Sequence, residues 1–184
     1  KTGVVGVLRK GSGSRSVGLR ADMDALPIIE QGTPEYVSQN HGVMHACGHD
    51  GHTTMLLGAA WLLAKTVEFS GTVNFIFQPA EEGQAGAKAM IDDGLFTRFP
   101  CDSVFAVHNW PELPEGVAQT RHGAIMAAAD RFDIRVFGGG GHAAQPHLSP
   151  DTMLATSELV VELNTIISRR TDPTDPATVN GTQG

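Results

Sequence analysis

Four side chains that commonly bind metal ions lie within eight residues of this chain: His45, Cys47, His49 and His52. Imidazole nitrogens and thiolates are good ligands for zinc and similar ions. Cys47 and His49 are two residues apart, so extended backbone would turn them to the same side, and Gly48 allows a close approach or an unusual dihedral angle. A buried thiol with scattered surface histidines would give the same pattern. The density of donors favours a site for one ion or for a neighbouring pair.

Two further groups of polar side chains follow predicted strands. Glu81 and Glu82 come just after the apolar strand 71–78, and His108 ends another apolar strand at 103–108. In open α/β sheets, residues beyond the carboxyl ends of the strands meet at one edge, so these groups are expected near the first cluster. Adjacent carboxylates point in different directions, which suits one as a metal ligand and the other as a general base. A solvated helix start would also favour two acids.

The order of the predicted elements indicates an α/β fold. Strands are predicted at residues 4–8, 16–20, 71–78 and 103–108, and helices at residues 53–65 and about 85–92. The connector 10–14 is rich in turn residues, so the first two strands are expected to form a hairpin. The helix 53–65 is apolar nearly all round and should be well buried. The strand 103–108 is also expected to be buried.

The composition and the pattern of predicted elements change in the last third of the sequence, which predicts a second, smaller α+β domain. The predicted elements there are a strand at 131–137, a helix from Pro150–Asp151 to Ile167 and a strand from 177–180. A glycine run at 138–141 precedes His142 and His147. It lacks the spacing of a phosphate-binding loop, so it is interpreted as a flexible loop that presents one of these histidines. A plain surface loop remains the alternative.

Composition excludes several classes of function. A net charge of −7 argues against nucleic acid or an anionic membrane as a partner. No apolar run approaches the roughly 20 residues that span a bilayer, and two cysteines are too few for a disulfide scaffold. Free thiols in the cytoplasm are expected, with Cys101 structural. The nucleophile motif Gly-x-Ser-x-Gly is absent, while a thiol hydrolase that uses Cys47 stays open as a competitor.

Five segments of the chain, in order, resemble the M20 metallopeptidase family, and within it the branch of hippurate hydrolases, N-acyl-amino-acid amidohydrolases and auxin-conjugate hydrolases. The matching segments are Arg20–Pro27, Met44–His52, Phe77–Glu82, Val107–Asn109 and Gly141–His147. Together they span nearly the whole chain. The resemblance implies part of a zinc-peptidase-like mixed sheet flanked by helices over residues 1–125. It also implies part of an inserted α+β lid and dimerisation domain over residues 126–184.

The resemblance further implies a centre of two divalent ions, zinc, manganese or cobalt. Its ligands would be four residues of this chain, Cys47, His49, Glu82 and His108, together with a histidine that has no counterpart here. Glu81 would be the general base, and His142 would bind the substrate or the developing oxyanion. Asp24 would orient a ligand from behind. His45 and His52 would be supporting or structural.

The resemblance implies hydrolysis of the amide bond of N-acyl amino acids by a cytoplasmic homodimer joined through the lid domain. Asp22 stands where the wider family has a histidine ligand, and Cys47 would supply the missing donor. This departure argues against an ordinary dipeptidase. A related dipeptidase or carboxypeptidase and a non-catalytic metal-binding or dimerisation fragment remain alternatives. The absent histidine and the lack of a terminal element at residues 181–184 lead us to expect an incomplete chain.

Overall fold

The computed structural model describes residues 2–181. The predicted lack of a terminal element concerns residues 181–184, of which 182–184 lie outside the described part of the chain. Two compact units divide the chain between Val117 and Ala118, and each is treated separately. The predicted domain boundary at 125–126 falls a little later and stays a prediction.

The first unit is built on a four-stranded mixed sheet in the order β1-β3-β2-β4. The strands are β1 (Val4–Lys10), β2 (Ser16–Asp22), β3 (Gly71–Gln78) and β4 (Ser103–Ala106). β3 pairs antiparallel with β1 and parallel with β2, and β2 pairs parallel with β4 on its other side. The predicted α/β class with a mixed sheet is therefore confirmed.

The predicted hairpin between the first two strands is wrong, because β3 lies between them. β3 is the most buried strand, and Asn74–Gln78 at its carboxyl end are all buried. A central position gives the backbone of such a strand partners on both edges, which the edge strand β1 lacks. The main-chain N–H of Thr72 bonds to the carbonyl of Arg15 at 2.9 Å, so the turn-rich connector leads into pairing with β3. A turn signal in sequence reports a change of chain direction and leaves the partner undetermined.

Three helices accompany the sheet: α1 (His49–Lys65), α2 (Gly86–Asp92) and α3 (Leu95–Arg98). α1 starts earlier than predicted, directly after Gly48, whose φ of 84° only glycine adopts easily. The expectation that α1 is well buried is wrong. It packs on β2 and β3 through His49, His52 and Leu56, while Trp61 on another face is 63% exposed. A helix that rests on one sheet face can bury only one of its own faces.

The core of the first unit lies between α1 and the sheet. Its buried members are Ala21, Leu56, Phe75 and Phe77. Burial of each large side chain contributes about 1.5–3 kcal/mol, so this small cluster fixes α1 against the ends of β2 and β3. These are the strand ends that precede the candidate site.

The strand predicted at 103–108 is shorter and more exposed than expected. β4 ends at Ala106, its four residues are exposed, and its one partner strand in the described residues is β2. The apolar run therefore marks a sheet edge, and burial is not achieved there. His108 lies two residues beyond the end of the strand.

The second unit contains a short 3-10 helix (Pro146–Leu148) and the helix α4 (Thr152–Arg170). The predicted helix is confirmed, and Asp151 caps it by accepting the N–H of Leu154 at 2.9 Å. The strands predicted at 131–137 and 177–180 are wrong, since both segments are irregular in the described chain. An alternating segment forms a strand only beside a partner, and neither segment has one here. The predicted α+β lid domain stays a prediction.

No helix among residues 2–181 combines the length and the hydropathy that a bilayer crossing requires.

Candidate metal centre

The candidate site lies at the carboxyl ends of the parallel strands. Asp22, the last residue of β2, is in register with Gln78, the last residue of β3, and Arg20 is in register with Ala106 at the end of β4. The segments that leave these three strands therefore start at one edge of the sheet. The first turn of α1 reaches the same edge, because Thr53 donates its hydroxyl to the carbonyl of Asp22 at 3.0 Å.

His49 is the central residue of the site. Its side chain is fully buried, and Nδ1 lies 3.0 Å from the carbonyl oxygen of Asp24. A ring that donates from Nδ1 carries a lone pair on Nε2, and this buried nitrogen has no hydrogen-bond partner among the described residues. Buried polar atoms rarely stay unpaired. Donation of one ring nitrogen to a carbonyl with the other left free is the usual arrangement of a histidine that binds a metal.

Two groups of donor atoms meet at His49. Cys47, His49 and His108 form one group, and His49, Glu81 and Glu82 form the other; in each, the donor atoms lie within 4.8 Å of one another. The sulfur of Cys47 is 3.5 Å from Nε2 of His108, and Nε2 of His49 is 3.8 Å from a carboxylate oxygen of Glu82. Metal–ligand bonds of about 2.0–2.3 Å place the ligands of one ion roughly 3–4 Å apart. The residues present therefore fit divalent metal ions.

Asp24 contacts both His49 and the loop that carries Glu81 and Glu82. Its Oδ2 accepts the main-chain N–H of Glu82 at 2.9 Å, and its Oδ1 is 3.3 Å from Nδ1 of His49. Burial raises the pKa of Asp24, but the N–H groups of Glu82 and Glu81 and the nearby His49 outweigh burial, so the pKa is lowered overall. The ionised carboxylate thus fixes the loop that carries both glutamates and contacts the ring of His49.

Cys47 lies in a setting that favours the neutral thiol when no cation is bound. Burial and the carboxylates of Glu82, Glu81 and Asp22 raise its pKa to about 11. Nucleophilic cysteines have low pKa values because a positive neighbour stabilises the thiolate. The surroundings of Cys47 are acidic, so they suit a thiol that loses its proton to a bound cation.

A third cluster consists of Asp22, His52 and Asn109; the sequence predicted a supporting or structural role for His52 but not its partners. His52 is 3% exposed and Asp22 is 1% exposed; Nδ1 of His52 lies 2.6 Å from Oδ1 of Asp22. Nε2 of His52 lies within hydrogen-bond distance of Asn109. Burial raises the pKa of Asp22. The hydrogen bond from His52 and the charge of Arg20 lower this pKa by more than burial raises it, so the net shift is downward. The spacing of His49 and His52, one helical turn, was the signal available in the sequence.

The remaining predicted residues are described each within its own unit. His45 is exposed, as is His142, whose Nδ1 accepts the N–H of Ala144 at 3.1 Å in the unit that follows Val117. The predicted role of His142 in binding the substrate or the oxyanion stays a prediction. Cys101 is half-buried and contacts the amide of Asn74 at 3.3 Å, which fits a structural thiol.

Comparison with known proteins shows which family this chain resembles. The family model described as "Peptidase family M20/M25/M40" matches residues 18–182. A hippurate hydrolase from Campylobacter jejuni is 52% identical over 180 residues, which cover 98% of this chain and 47% of that protein. An N-acyl-L-amino acid amidohydrolase from Geobacillus stearothermophilus is 44% identical over 185 residues, covering 100% of this chain and 50% of that protein.

One solved structure of similar sequence is described as metal-binding. The YXEP protein of Bacillus subtilis, described as a dinuclear metal-binding peptidase of the M20 family, is 44% identical with a TM-score of 0.58. The match covers 61% of this chain and 31% of that protein. The chain belongs to peptidase family M20/M25/M40, a family of enzymes that act on amide bonds. It spans about half the length of the curated relatives that it matches.

Proposed function

We propose that the protein containing this chain is a metal-dependent amidohydrolase that cleaves the amide bond of N-acyl amino acids. One observation carries the proposal: the buried, unpartnered Nε2 of His49 lies among the donor atoms of Cys47 and His108 and those of Glu81 and Glu82. Similarity to a hippurate hydrolase and to an N-acyl-L-amino acid amidohydrolase supports this substrate class.

Four residues would hold two divalent ions: Cys47, His49, Glu82 and His108. His49 belongs to both donor groups, and its free Nε2 would bind one of the two ions. When bound, such ions polarise the amide carbonyl and make water more acidic. Zinc, manganese and cobalt all accept imidazole and carboxylate ligands.

Glu81 would act as the general base. It is exposed, whereas Glu82 is half-buried with its main-chain N–H held by Asp24. The freer carboxylate can take a proton from the attacking water and pass it to the departing nitrogen as the carbon–nitrogen bond breaks. His142 would stabilise the oxyanion, as its place in the matching segment suggests.

Assembly and location follow from the same resemblance. We propose a homodimer joined through the region that follows residue 125, and a cytoplasmic location. Light scattering of the purified protein measures its mass in solution directly, and a monomer at micromolar concentration would contradict the proposed dimer.

Replacement of Glu81 by glutamine tests the proposed chemistry. E81Q removes the base but keeps the size of the side chain, so turnover of hippurate is expected to fall by about 100-fold or more while metal content is unchanged. Metal content is measured by mass spectrometry of the purified protein, and turnover by release of glycine. E68Q is the matched control, because Glu68 is exposed and its nearest ion-pair partner, Lys10, is 3.9 Å away.

Near-normal turnover in E81Q would refute the assignment of the base. A wild-type protein that binds two ions without hydrolysing N-acyl amino acids would favour the non-catalytic alternative. Activity that survives chelators and is lost on alkylation would favour a thiol hydrolase through Cys47 instead.

A further inference from the structure

We propose that His52, held by Asp22, is a positioning residue that fixes Asn109 and thereby sets the two metal-binding segments around Cys47 and His108. The inference rests on the proposed metal centre and deepens it. It concerns a polar cluster in which Asp22 and His52 are buried and Asn109 is exposed, and none of the proposed ligands or catalytic groups belongs to it.

The first step is the orientation of the His52 ring. Oδ2 of Asp22 accepts an N–H from Nη1 of Arg20 at 2.9 Å. The other carboxylate oxygen, Oδ1, lies 2.6 Å from Nδ1 of His52 and acts as its acceptor. The ring therefore donates from Nδ1 and keeps an acceptor at Nε2. A carboxylate behind a histidine fixes both its tautomer and its rotation.

The second step is the contact with Asn109. Its main-chain N–H donates to Nε2 of His52 at 3.0 Å, and its Oδ1 lies 2.7 Å from the same nitrogen. A half-turn of the amide exchanges its oxygen and nitrogen and turns an N–H towards Nε2, whose single lone pair the main-chain and side-chain N–H groups then share. Both contacts join the loop after β4 to the buried first turn of α1.

The third step leads from Asn109 to His108. The ring of His108 has Nδ1 2.6 Å from the carbonyl oxygen of Asn109, so it donates there and presents Nε2 to the sulfur of Cys47. β4 ends at Ala106, and sheet pairing does not reach His108. The main chain of Asn109 is bonded to His52 through its N–H and to His108 through its carbonyl oxygen, and it therefore determines where Nε2 of His108 points.

Asn109 also lies against the segment that carries Cys47. A Cβ atom at Gly48 would come within 2.5 Å of Oδ1 of Asn109, so the amide packs directly on this glycine. The backbone of Gly48 is left-handed, with φ of 84°. One residue thus contacts both segments that supply ligands, and His52 holds that residue.

A competing interpretation makes Asp22, His49 and His52 a cation site of their own, since their donor atoms lie within 4.8 Å of one another. Both nitrogens of His52 are already engaged, and Arg20 places a positive charge on Asp22. A cation there would have to displace an ion pair and two hydrogen bonds. The network is better explained as a support.

The test compares His52→Leu with His52→Gln in the intact protein. Leucine fills the space but offers no acceptor, so affinity for Zn²⁺ is expected to fall by about 10–100-fold, the usual effect of losing a group that orients ligands. Glutamine can accept the N–H of Asn109 and should recover part of that loss. A role in packing alone predicts the reverse order, because a buried apolar side chain would be tolerated better than an amide.

Affinity is measured by competition with a chromophoric chelator, and circular dichroism verifies that each variant folds. His45→Gln is the matched control, since His45 belongs to the same histidine cluster but is exposed. Equal affinity in His52→Leu, His52→Gln and the wild type would overturn the proposal. Loss of hydrolysis alone, with wild-type Zn²⁺ affinity, would also count against it.

A readout without metal separates this inference from the proposed function. Long-range nitrogen–proton spectra of histidine-labelled, metal-free protein are expected to show His52 and His108 both protonated on Nδ1. In His52→Leu, His108 should lose this single tautomer. If the wild type binds no metal, the proposed function fails, and these spectra still decide whether His52 sets the ring of His108. A mixture of tautomers at His108 in the wild type would overturn the inference.

Discussion

Two histidines one helical turn apart have different surroundings at the start of α1. Nε2 of His49 is buried without a partner, whereas both nitrogens of His52 are engaged by Asp22 and Asn109. The residue type and spacing would allow either to be a ligand. Their partners, which come from β2 and from the loop after β4, make the difference. The predicted assignment of His49 as a ligand and His52 as a support agrees with this geometry, and the ligand roles stay proposals.

At the same scale, the reactivity of Cys47 is predicted to depend steeply on pH. With its pKa raised to about 11 by burial and by the nearby carboxylates, the metal-free thiol is protonated at neutral pH. Since the thiolate is the reactive form, alkylation should be slow at pH 7 and rise about tenfold per pH unit up to pH 10. Iodoacetamide labelling followed by peptide mass spectrometry measures Cys47 separately from Cys101.

A rate at pH 7 that already equals the rate at pH 9 would contradict the predicted direction of the shift. It would also reopen the thiol hydrolase, because a nucleophilic cysteine needs its thiolate near neutral pH.

At the scale of elements, the loop between β3 and α2 is tightly packed. Gly86, the first residue of α2, is buried, and a Cβ atom there would overlap the carbonyl oxygen of Pro79. Its main-chain N–H bonds to the carbonyl of Ala80 at 2.9 Å. The loop folds back on itself in this way and carries Glu81 and Glu82 at its turn, so backbone packing sets where the two carboxylates lie.

Replacement of Gly86 by alanine is therefore expected to destabilise the protein by about 1–3 kcal/mol, the usual cost of overpacking. Zn²⁺ affinity should fall as well, because the backbone that carries Glu82 must shift. G58A is the matched control: Gly58 lies in α1, and an added Cβ would meet no atom within 4 Å apart from its chain neighbours and the nearby helix backbone, so alanine should stabilise by up to about 1 kcal/mol. Urea unfolding measures both changes, and equal stability of G86A and the wild type would contradict the described packing.

At the scale of the whole molecule, the chain consists of two units whose regular structure differs in kind. The first contains the sheet and the candidate site, and the second contains α4 with a long irregular stretch before it. Residues 118–145 have no helix or strand and are almost entirely exposed. Exposed irregular segments are where proteases cut first.

Limited trypsin digestion of the intact protein should therefore cut first at Arg121, Arg131 and Arg135, which are exposed within this stretch. Arg9 and Lys88 are exposed too, but they lie within β1 and α2, where hydrogen bonds resist entry into a protease site. Mass spectrometry of early fragments gives the order of cuts. Early cleavage at Arg9 or Lys88 would contradict the description, while cuts on either side of residues 125–126 would support the proposed domain boundary.

The sequence by itself determined the types of the main elements and which residues are candidates for the site. The buried run of β3, the N-cap of α4 and the donors around Cys47 are local patterns, and local hydrogen bonding and burial fix what they become. Strand order, the exposure of α1 and β4 and the missing strands of the second unit were not predictable in this way. Each depends on which distant segment supplies a partner.

Four possible metal ligands are clustered in the sequence at residues 45–52. The tertiary structure alone decided that one of them, His49, has a buried nitrogen without a hydrogen-bond partner. Pairing of β2 with β3 and β4 puts three strand ends at one edge, and the buried first turn of α1 then meets Asp22, Asp24 and Asn109. A hydrogen bond forms or fails according to positions set within tenths of an ångström. The sequence identified His49 as a candidate ligand, and only its folded neighbours left its Nε2 buried without a partner.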